Sequence, residues 1–88
     1  TTDGVNLYVA DANNSKIRKI AIKTGVVTTL AGNGSIGSTD GSSADASFFS
    51  PEGITHDGNY LYVTDRSNQN IRKIVIETGV VTTFSGNG

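Results

Sequence analysis

The sequence predicts an all-β fold made of repeated antiparallel sheets, and three observations carry that prediction. Residues 1–34 align without a gap onto residues 55–88 at a fixed offset of 54, with 22 of the 34 aligned positions identical. Each copy holds three short apolar segments separated by Gly, Asp and Asn turn residues. No stretch keeps apolar residues at helical spacing for three turns, and the Val and Thr content favours strands. Such a repeat is typical of arrays whose units bury their faces against neighbouring units.

The three apolar segments of each copy are expected to form three strands of an antiparallel meander. Asp-Gly pairs precede the first segment, polar loops follow it, and Thr-Gly pairs separate the second from the third. Strands of about five residues with such short connections are typical of a meander. The predicted strands are residues 7–10, 17–22 and 26–30 in the first copy and residues 61–64, 71–76 and 80–84 in the second.

A stretch of 20 residues between the copies, residues 35–54, occurs once. Its first part is rich in Gly, Ser and Asp and indicates an exposed loop. Its second part, Ser47 to Ile54, is apolar and is expected to form a fourth strand, preceded by a bend at Pro51. We therefore expect residues 1–34 to form an incomplete first blade of three outer strands. Residues 35–88 are expected to form an inter-blade loop and a four-stranded second blade.

Sheets that are apolar on both faces need covering on both faces, and radial packing of blades around an axis provides it. The sequence of each copy resembles the repeats of the NHL-repeat family of β-propellers. The resemblance rests on Pro51-Glu52-Gly53-Ile54, Asp57-Gly58, Leu61 to Asp65, Asn68, Ile71 to Ile74 and Gly79 to Gly86. It implies four-stranded antiparallel blades, a six-bladed ring, and an innermost strand around Gly53-Ile54 that lines the central channel.

The chain supplies fewer than two such blades. We therefore expect further blades, from the same chain or from other copies in a homo-oligomeric ring. Twelve apolar side chains are expected to be mostly buried, many of them between blades: Leu7, Val9, Ile17, Ile20, Ile22, Phe48, Ile54, Leu61, Val63, Ile71, Ile74 and Ile76.

Composition excludes several classes of partner. Seven basic and eight acidic side chains give a net charge of −1, so no net field attracts nucleic acid or a membrane surface. The longest apolar runs are four residues, far short of the ~18 that span a bilayer. Cysteine is absent, which excludes disulfides and thiolate metal sites and leaves localisation open. Methionine is also absent, so we expect the chain to be a processed piece or an excerpt of a longer product.

Glu52 and His56 are the candidate binding residues. The resemblance places Glu52 at the start of the innermost strand, near the channel mouth where propeller proteins hold ligands. In lactonase-like relatives a glutamate there binds a metal. The alternative is that Pro-x-Gly-Ile is a structural motif whose second position is variable and has no binding role. His56 is the single histidine, which excludes a zinc-binding His cluster. Its counterpart in the first copy is Thr2, so we expect a solvated turn residue.

Other motifs favour structural readings. Gly32 to Gly37 fits the dinucleotide fingerprint, but that motif works only where a helix follows, and the next residues do not begin one. Four aspartates lack the spacing of a calcium loop and indicate turns: Asp3, Asp40, Asp45 and Asp57. Basic pairs recur on the second strand of each copy, at Arg18-Lys19 and Arg72-Lys73. They either pair with Asp11 and Asp65 or form a basic face for RNA.

The sequence favours a non-enzymatic interaction scaffold with no catalytic residue and no cofactor. We expect it to bind a protein or a small ligand at the channel mouth, and neither nucleic acid nor a membrane. The alternative is a propeller enzyme resembling lactonases or lyases, with a divalent metal held by carboxylates such as Glu52. A further alternative is an RNA-binding propeller face.

Overall fold

The computed structural model describes residues 1 to 86, and the all-β prediction is confirmed over that range. Residues 87 and 88, which close the predicted second unit, lie outside the described part. Seven strands follow one another: β1 (Asn6–Asp11), β2 (Lys16–Ala21), β3 (Val27–Ala31), β4 (Pro51–His56), β5 (Tyr60–Asp65), β6 (Asn70–Val75) and β7 (Val81–Gly86).

The strands form two antiparallel sheets of three and four strands, at the places of the two expected blades, and we keep the word blade for each sheet. The first blade has the order β1-β2-β3 and the second the order β4-β5-β6-β7, so every strand pairs with its neighbour in sequence. Single turns of 3-10 helix at Ala12–Asn14 and Arg66–Asn68 connect the first two repeated strands of each copy. Within residues 1 to 86 no helix is long and apolar enough to cross a bilayer.

The innermost strand of the second blade begins later than the sequence suggested. Residues 47–50 precede β4 instead of belonging to it, and Ser50 adopts a left-handed conformation with φ of 58°. Phe48 forms an isolated parallel bridge with Ile36 in the connecting loop. Pro51 opens the strand, a position where its missing N–H removes no ladder bond.

The first two residues pair with β1 at the inner edge of the first blade. Thr2 forms a bridge with Leu7, and the Tyr8 amide donates to the Thr1 carbonyl at 2.8 Å. Their counterparts in the second blade, His56 and Leu61, are paired in the same way. Thr1 and Thr2 therefore hold the positions in the first blade that Thr55 and His56 hold at the end of β4.

Each blade has two faces, because side chains alternate along its strands. One face, which we call the leading face, carries Leu7, Val9, Arg18, Ile20 and Val27 in the first blade. In the second blade it carries Leu61, Val63, Arg72, Ile74 and Val81. The trailing face carries Tyr8, Ile17, Lys19 and Leu30 in the first blade and Tyr62, Ile71, Lys73 and Phe84 in the second. Residues opposite each other on adjacent strands assign all of these side chains except Leu30 and Phe84. Leu30 belongs to the same core cluster as Tyr8, and the Phe84 ring contacts that of Tyr62.

The trailing face of the first blade packs towards the leading face of the second. One hydrophobic cluster joins Tyr8, Ile17 and Leu30 with residues of the second blade. The members from the second blade include Leu61, Val63, Ile74 and Val81. The core of the molecule therefore lies between the two blades.

The predicted core was correct where this packing covers it and wrong at four exposed residues. Ile17, Phe48, Leu61, Val63 and Ile74 are fully buried, as expected. Ile20, Ile54 and Ile76 are only partly buried. Leu7 and Val9 are each 40% exposed and Ile71 is 37% exposed, because they lie on faces that no second sheet covers in this chain. Ile22 is also exposed, beyond the end of β2.

The inter-blade loop, residues 35–50, fills the space between the two blades. On one side it meets the end of the first blade, where the Gly32 amide donates to Ser43 and the Asn33 amide donates to Ala46. On the other side Gly41 exchanges two main-chain hydrogen bonds with Val81, at 2.8 and 2.9 Å. The predicted exposed loop is thus hydrogen-bonded to both sheets.

Candidate functional site

Glu52 lies at a β-bulge at the start of the inner strand. Pro51 pairs with Asp65 and Ile54 with Val63, so Glu52 and Gly53 together oppose the single residue Thr64. The Gly53 amide donates to the Thr64 hydroxyl at 2.7 Å, and a Cβ on Gly53 would come within 2.8 Å of that oxygen. A bulge redirects side chains at the edge of a sheet. Glycine at position 53 therefore leaves room for the Thr64 hydroxyl at the bulge that positions Glu52.

Arg66 is the partner of Glu52. Its Nη1 lies 3.1 Å from Glu52 Oε2, and the two side chains are 73% and 51% exposed respectively. Arg66 begins the 3-10 turn after β5, so the hairpin register brings it beside the start of β4. Its counterpart in the first copy is Ala12, so this ion pair is specific to the second blade. Sequence reasoning missed Arg66.

His56 lies at the other end of β4. At about 3.3 Å per residue it is some 13 Å from Glu52 along the strand, so the two candidate residues do not converge. Its Nδ1 shares a hydrogen bond of 2.7 Å with the Thr1 hydroxyl of the first blade. His56 is therefore a partly buried strand residue at the blade interface, and the expected solvated turn is wrong.

Asp3 and Asp57 shape the turns before β1 and β5, as expected. Asp3 Oδ1 accepts hydrogen bonds from the Val5 and Asn6 amides, and its Oδ2 accepts one from the Tyr8 hydroxyl. These donors lower the pKa of Asp3 to about 2. Asp57 receives the same kind of bonds, chiefly from the Tyr60 and Asn59 amides, and its pKa is lowered too. Both carboxylates therefore accept hydrogen bonds that stabilise their own turns.

The basic residues Arg18 and Arg72 pair with aspartates, as one of the two sequence readings proposed. Arg18 Nε lies 3.2 Å from Asp11, and Arg72 Nη1 lies 3.0 Å from Asp65. A hydrogen bond from Asn14, followed by the interaction with Arg18, lowers the pKa of Asp11. The equivalent amide of Asn68 donates to Asp65 at 2.6 Å. Each copy thus repeats an Asp-Asn-Arg cluster.

The second of these clusters is buried beneath the inter-blade loop. Arg72 is fully buried and donates to the carbonyls of Ser47 and Thr39 at 2.7 and 2.9 Å. Its Nη2 also bonds Asp40 Oδ1 at 2.7 Å, while its guanidinium lies 4.9 Å from the Phe48 ring centre. Asp40 therefore joins the loop to the second blade. Sequence reasoning assigned it only to a turn, because Asp40 belongs to the stretch without a repeated counterpart.

Within residues 1 to 86 the other motifs singled out in the sequence do not bring side chains together into a binding site. Within residues 1 to 86 no three His, Cys, Asp or Glu side chains are grouped so as to hold a metal ion. Gly32 to Gly37 leads into the inter-blade loop through main-chain bonds to residues 43, 46 and 48, and no helix follows it there. Lys73 Nζ lies 4.0 Å from the Tyr60 ring centre on the trailing face.

Comparison with known proteins places the chain among repeat proteins of one type. No family model matches it. It is 36% identical over 85 residues to chicken (Gallus gallus) NHL repeat-containing protein 2, and 43% identical over 81 residues to the cattle (Bos taurus) protein of the same name. These alignments cover 97% and 89% of the chain. The chain spans only 12% and 11% of the length of those relatives.

A solved structure shares the arrangement of the two sheets. It is an auxiliary nutrient binding protein from Bacteroides thetaiotaomicron, with a TM-score of 0.77 and 26% sequence identity. The match covers 97% of this chain and 24% of that protein. The two blades therefore resemble about a quarter of a longer chain.

Proposed function

We propose, from the membership of this chain in the NHL-repeat β-propellers, that it contributes two blades to a non-enzymatic binding scaffold. The relatives and the nutrient-binding neighbour support a binding or scaffold propeller. The ligand, a protein or a small polar molecule, contacts the start of the inner strand of the second blade. Glu52 and Arg66 supply one negative and one positive group for it.

The observation that carries this proposal is the contrast between the charges that bond the fold itself and one exposed pair of charges that does not. The Asp-Asn-Arg cluster and the turn aspartates occur in both copies and bond the fold itself. Within residues 1 to 86 the side chains of Glu52 and Arg66 hydrogen-bond only each other, and the first copy has Ala12 in place of the arginine. Exposed ion pairs contribute only about 0 to 1 kcal/mol, so stability does not account for this one. Variable polar groups on a constant framework are typical of binding sites.

The test is amide-resolved NMR titration with defined probes, namely decapeptides of acidic, basic and neutral composition and a neutral oligosaccharide. We expect one probe to shift amides of residues 50–53 and 64–68. Glu52→Gln and Arg66→Gln should each weaken that response about tenfold, as for a lost charge-assisted hydrogen bond. Glu77→Gln, an exposed carboxyl at the turn after β6, is the control and should leave it unchanged. Shifts confined to other surfaces would refute the proposal.

The enzyme alternative requires a metal at Glu52. Calorimetric titration of calcium, magnesium and zinc ions into the protein and into Glu52→Gln separates the two functions. Hard divalent ions depend on carboxylate charge, so binding that disappears in the amide variant would favour the enzyme. We expect no binding that depends on Glu52, because within the described residues no three His, Cys, Asp or Glu side chains are grouped so as to hold a metal ion.

A further inference from the structure

A cleft of about 530 Å³ lies on the leading face of the first blade. Val9, Asp11, Arg18 and Val27 are among the residues that line it. The Arg18 and Asp11 side chains are 26% and 28% exposed, and Val27 is 55% exposed. This combination of apolar surface, an accessible guanidinium and the outer edge of β3 is a docking surface without an occupant in the described residues.

The second blade shows what such a surface binds. The counterparts of the four lining residues are Val63, Asp65, Arg72 and Val81, and each of them is fully buried. The inter-blade loop covers them: Asp40 and the carbonyls of Thr39 and Ser47 bond Arg72, and Gly41 pairs with the Val81 main chain. Asp40 also accepts from the Thr83 amide and hydroxyl at 3.1 Å.

The first blade presents the same receptor groups. Arg18 bonds Asp11 through Nε and Thr29, the counterpart of Thr83, through Nη1. Within residues 1 to 86 its Nη2 makes no hydrogen bond, whereas Nη2 of Arg72 bonds Asp40 and Thr39. Val27 lies at the outer edge of β3, where Val81 pairs with Gly41 in the second blade. Both blades therefore have the residues that contact the loop, but only the second blade has a loop bound to them within residues 1 to 86.

We propose that this surface docks a second inter-blade loop, one with the chemistry of residues 39–47, joined to the N-terminal side of the first blade. Its carboxylate bonds Arg18 and Thr29, and its main chain pairs with Val27. The site is distinct from the one at Glu52, so the proposal rests on the repeat and not on the proposed ligand binding.

The connectivity of the repeat identifies the source of this loop. Residues 35–54 run directly into Thr55, and Thr1 is the counterpart of Thr55 at the end of an inner strand. A loop of the same length joined before Thr1 therefore reaches the cleft as residues 35–50 reach the second blade. A second copy of the chain is a poorer source, because its own residues 39–47 are held by its Arg72 and Val81.

The test joins a second copy of residues 35–54 to the N-terminus of the full chain. Amide hydrogen exchange is followed by NMR at Val27, with Val81 as the internal control for an intact fold. We expect exchange at Val27 to slow about tenfold in the extended chain, while exchange at Val81 is unchanged. Changing the appended counterpart of Asp40 to Asn, or Arg18→Lys, should each reverse most of that protection.

Two results would overturn the proposal. One is a Val27 amide that exchanges as fast in the extended chain as in the chain without the extension, with Val81 still protected. The other is protection that appears only as protein concentration is raised, since a second copy would then be the occupant. Neither result depends on whether a ligand binds at Glu52, so the two proposals fail separately.

Discussion

Leu7 and Leu61 occupy the same position in the repeat and have opposite environments. Leu7 is 40% exposed and Leu61 is fully buried, although each begins an identical Leu-Tyr-Val segment. The trailing face shows the reverse, since Ile17 is buried and its counterpart Ile71 is exposed. Burial in this chain is therefore decided by which blade lies beside the residue and not by the residue type.

Matched substitutions test this assignment of faces. Leu61→Ala should lower the free energy of unfolding by about 2 to 5 kcal/mol, as for a buried aliphatic side chain, whereas Leu7→Ala should cost less than about 1 kcal/mol. The order should invert on the other face, with Ile17→Ala more costly than Ile71→Ala. Urea unfolding at constant pH measures all four. Equal losses within each pair would contradict the packing of the first blade against the second.

The turn aspartates make stability depend on acidity. The pKa of Asp3 is about 2 in the folded chain against an ordinary value of 3.8, so the folded state favours the charged form. A carboxyl with a lowered pKa contributes stability above its unfolded pKa, and that contribution is lost as pH falls. We expect the urea midpoint to fall as pH decreases from about 4 to about 2.

Asp3→Asn isolates this effect. The variant should be less stable at neutral pH and show a shallower decline between about pH 4 and 2 than the parent chain. Glu77→Gln serves as the control and should retain the parent's decline. An Asp3→Asn variant with an unchanged acid profile would mean that the turn hydrogen bonds do not form in solution.

At the level of elements, the sequence predicted the strands well and the connecting stretch poorly. Two copies of the same pattern identify each strand twice, and all six repeated strands lie within two residues of their predicted bounds. The inter-blade loop has no second copy, so nothing in the sequence indicated that Asp40 bonds Arg72. Residues 47–50 were wrongly joined to β4. Phe48 is buried in the core between the blades, so its apolar side chain reflects packing and not a place in the strand.

Of the two residues of the candidate site, the sequence indicated Glu52 and did not indicate Arg66. The position of Glu52 at the start of the inner strand followed from the resemblance to the repeat family. The ion pair with Arg66 depends on the bulge opposite Thr64, which shifts the register of the hairpin by one residue. A register shift of this kind leaves little trace in composition or periodicity, although the glycine at position 53 is consistent with it.

Two equivalent glycines test the contact between the elements. Gly25 and Gly79 both have positive φ, 73° and 79°, so alanine at either carries a similar backbone cost of about 1 to 2 kcal/mol. A Cβ on Gly25 would meet nothing within 4 Å, whereas one on Gly79 would lie 2.5 Å from the Leu30 carbonyl and 2.6 Å from Ser43. Gly79→Ala should therefore destabilise the chain more than Gly25→Ala in urea unfolding. Equal losses would argue against close packing of the first blade and the inter-blade loop on that turn.

At the scale of the whole molecule, the chain has one uncovered face at each end. The leading face of the first blade and the trailing face of the second expose apolar side chains, including Leu7 and Val9 at one end and Ile71 and Phe84 at the other. These two faces are the counterparts of the pair that packs inside the molecule. Association between different surfaces of identical chains is head-to-tail, which produces rings or open arrays.

We expect the isolated chain to self-associate in this head-to-tail manner. The mass measured by sedimentation equilibrium should rise with concentration above the 9.1 kDa of one chain. Leu7→Lys places a charge on one face and Phe84→Lys on the other, so each variant alone should remain a monomer. Asn59→Lys, in the exposed turn before β5, adds the same charge away from both faces and should associate like the parent chain.

Mixing the two blocked variants provides the decisive comparison. Each keeps one intact face, so an equimolar mixture should form pairs of one copy of each and nothing larger. Symmetric association through a single face would instead leave one of the variants dimeric on its own, and a monomeric mixture would mean that the faces do not bind each other.

The pairs should be weak, because no inter-blade loop fills the cleft at Arg18 where one copy meets the next. Adding the N-terminal loop to the Phe84→Lys variant should therefore tighten its pairing with the Leu7→Lys variant, provided the loop docks beneath the incoming blade as residues 35–50 do within one chain.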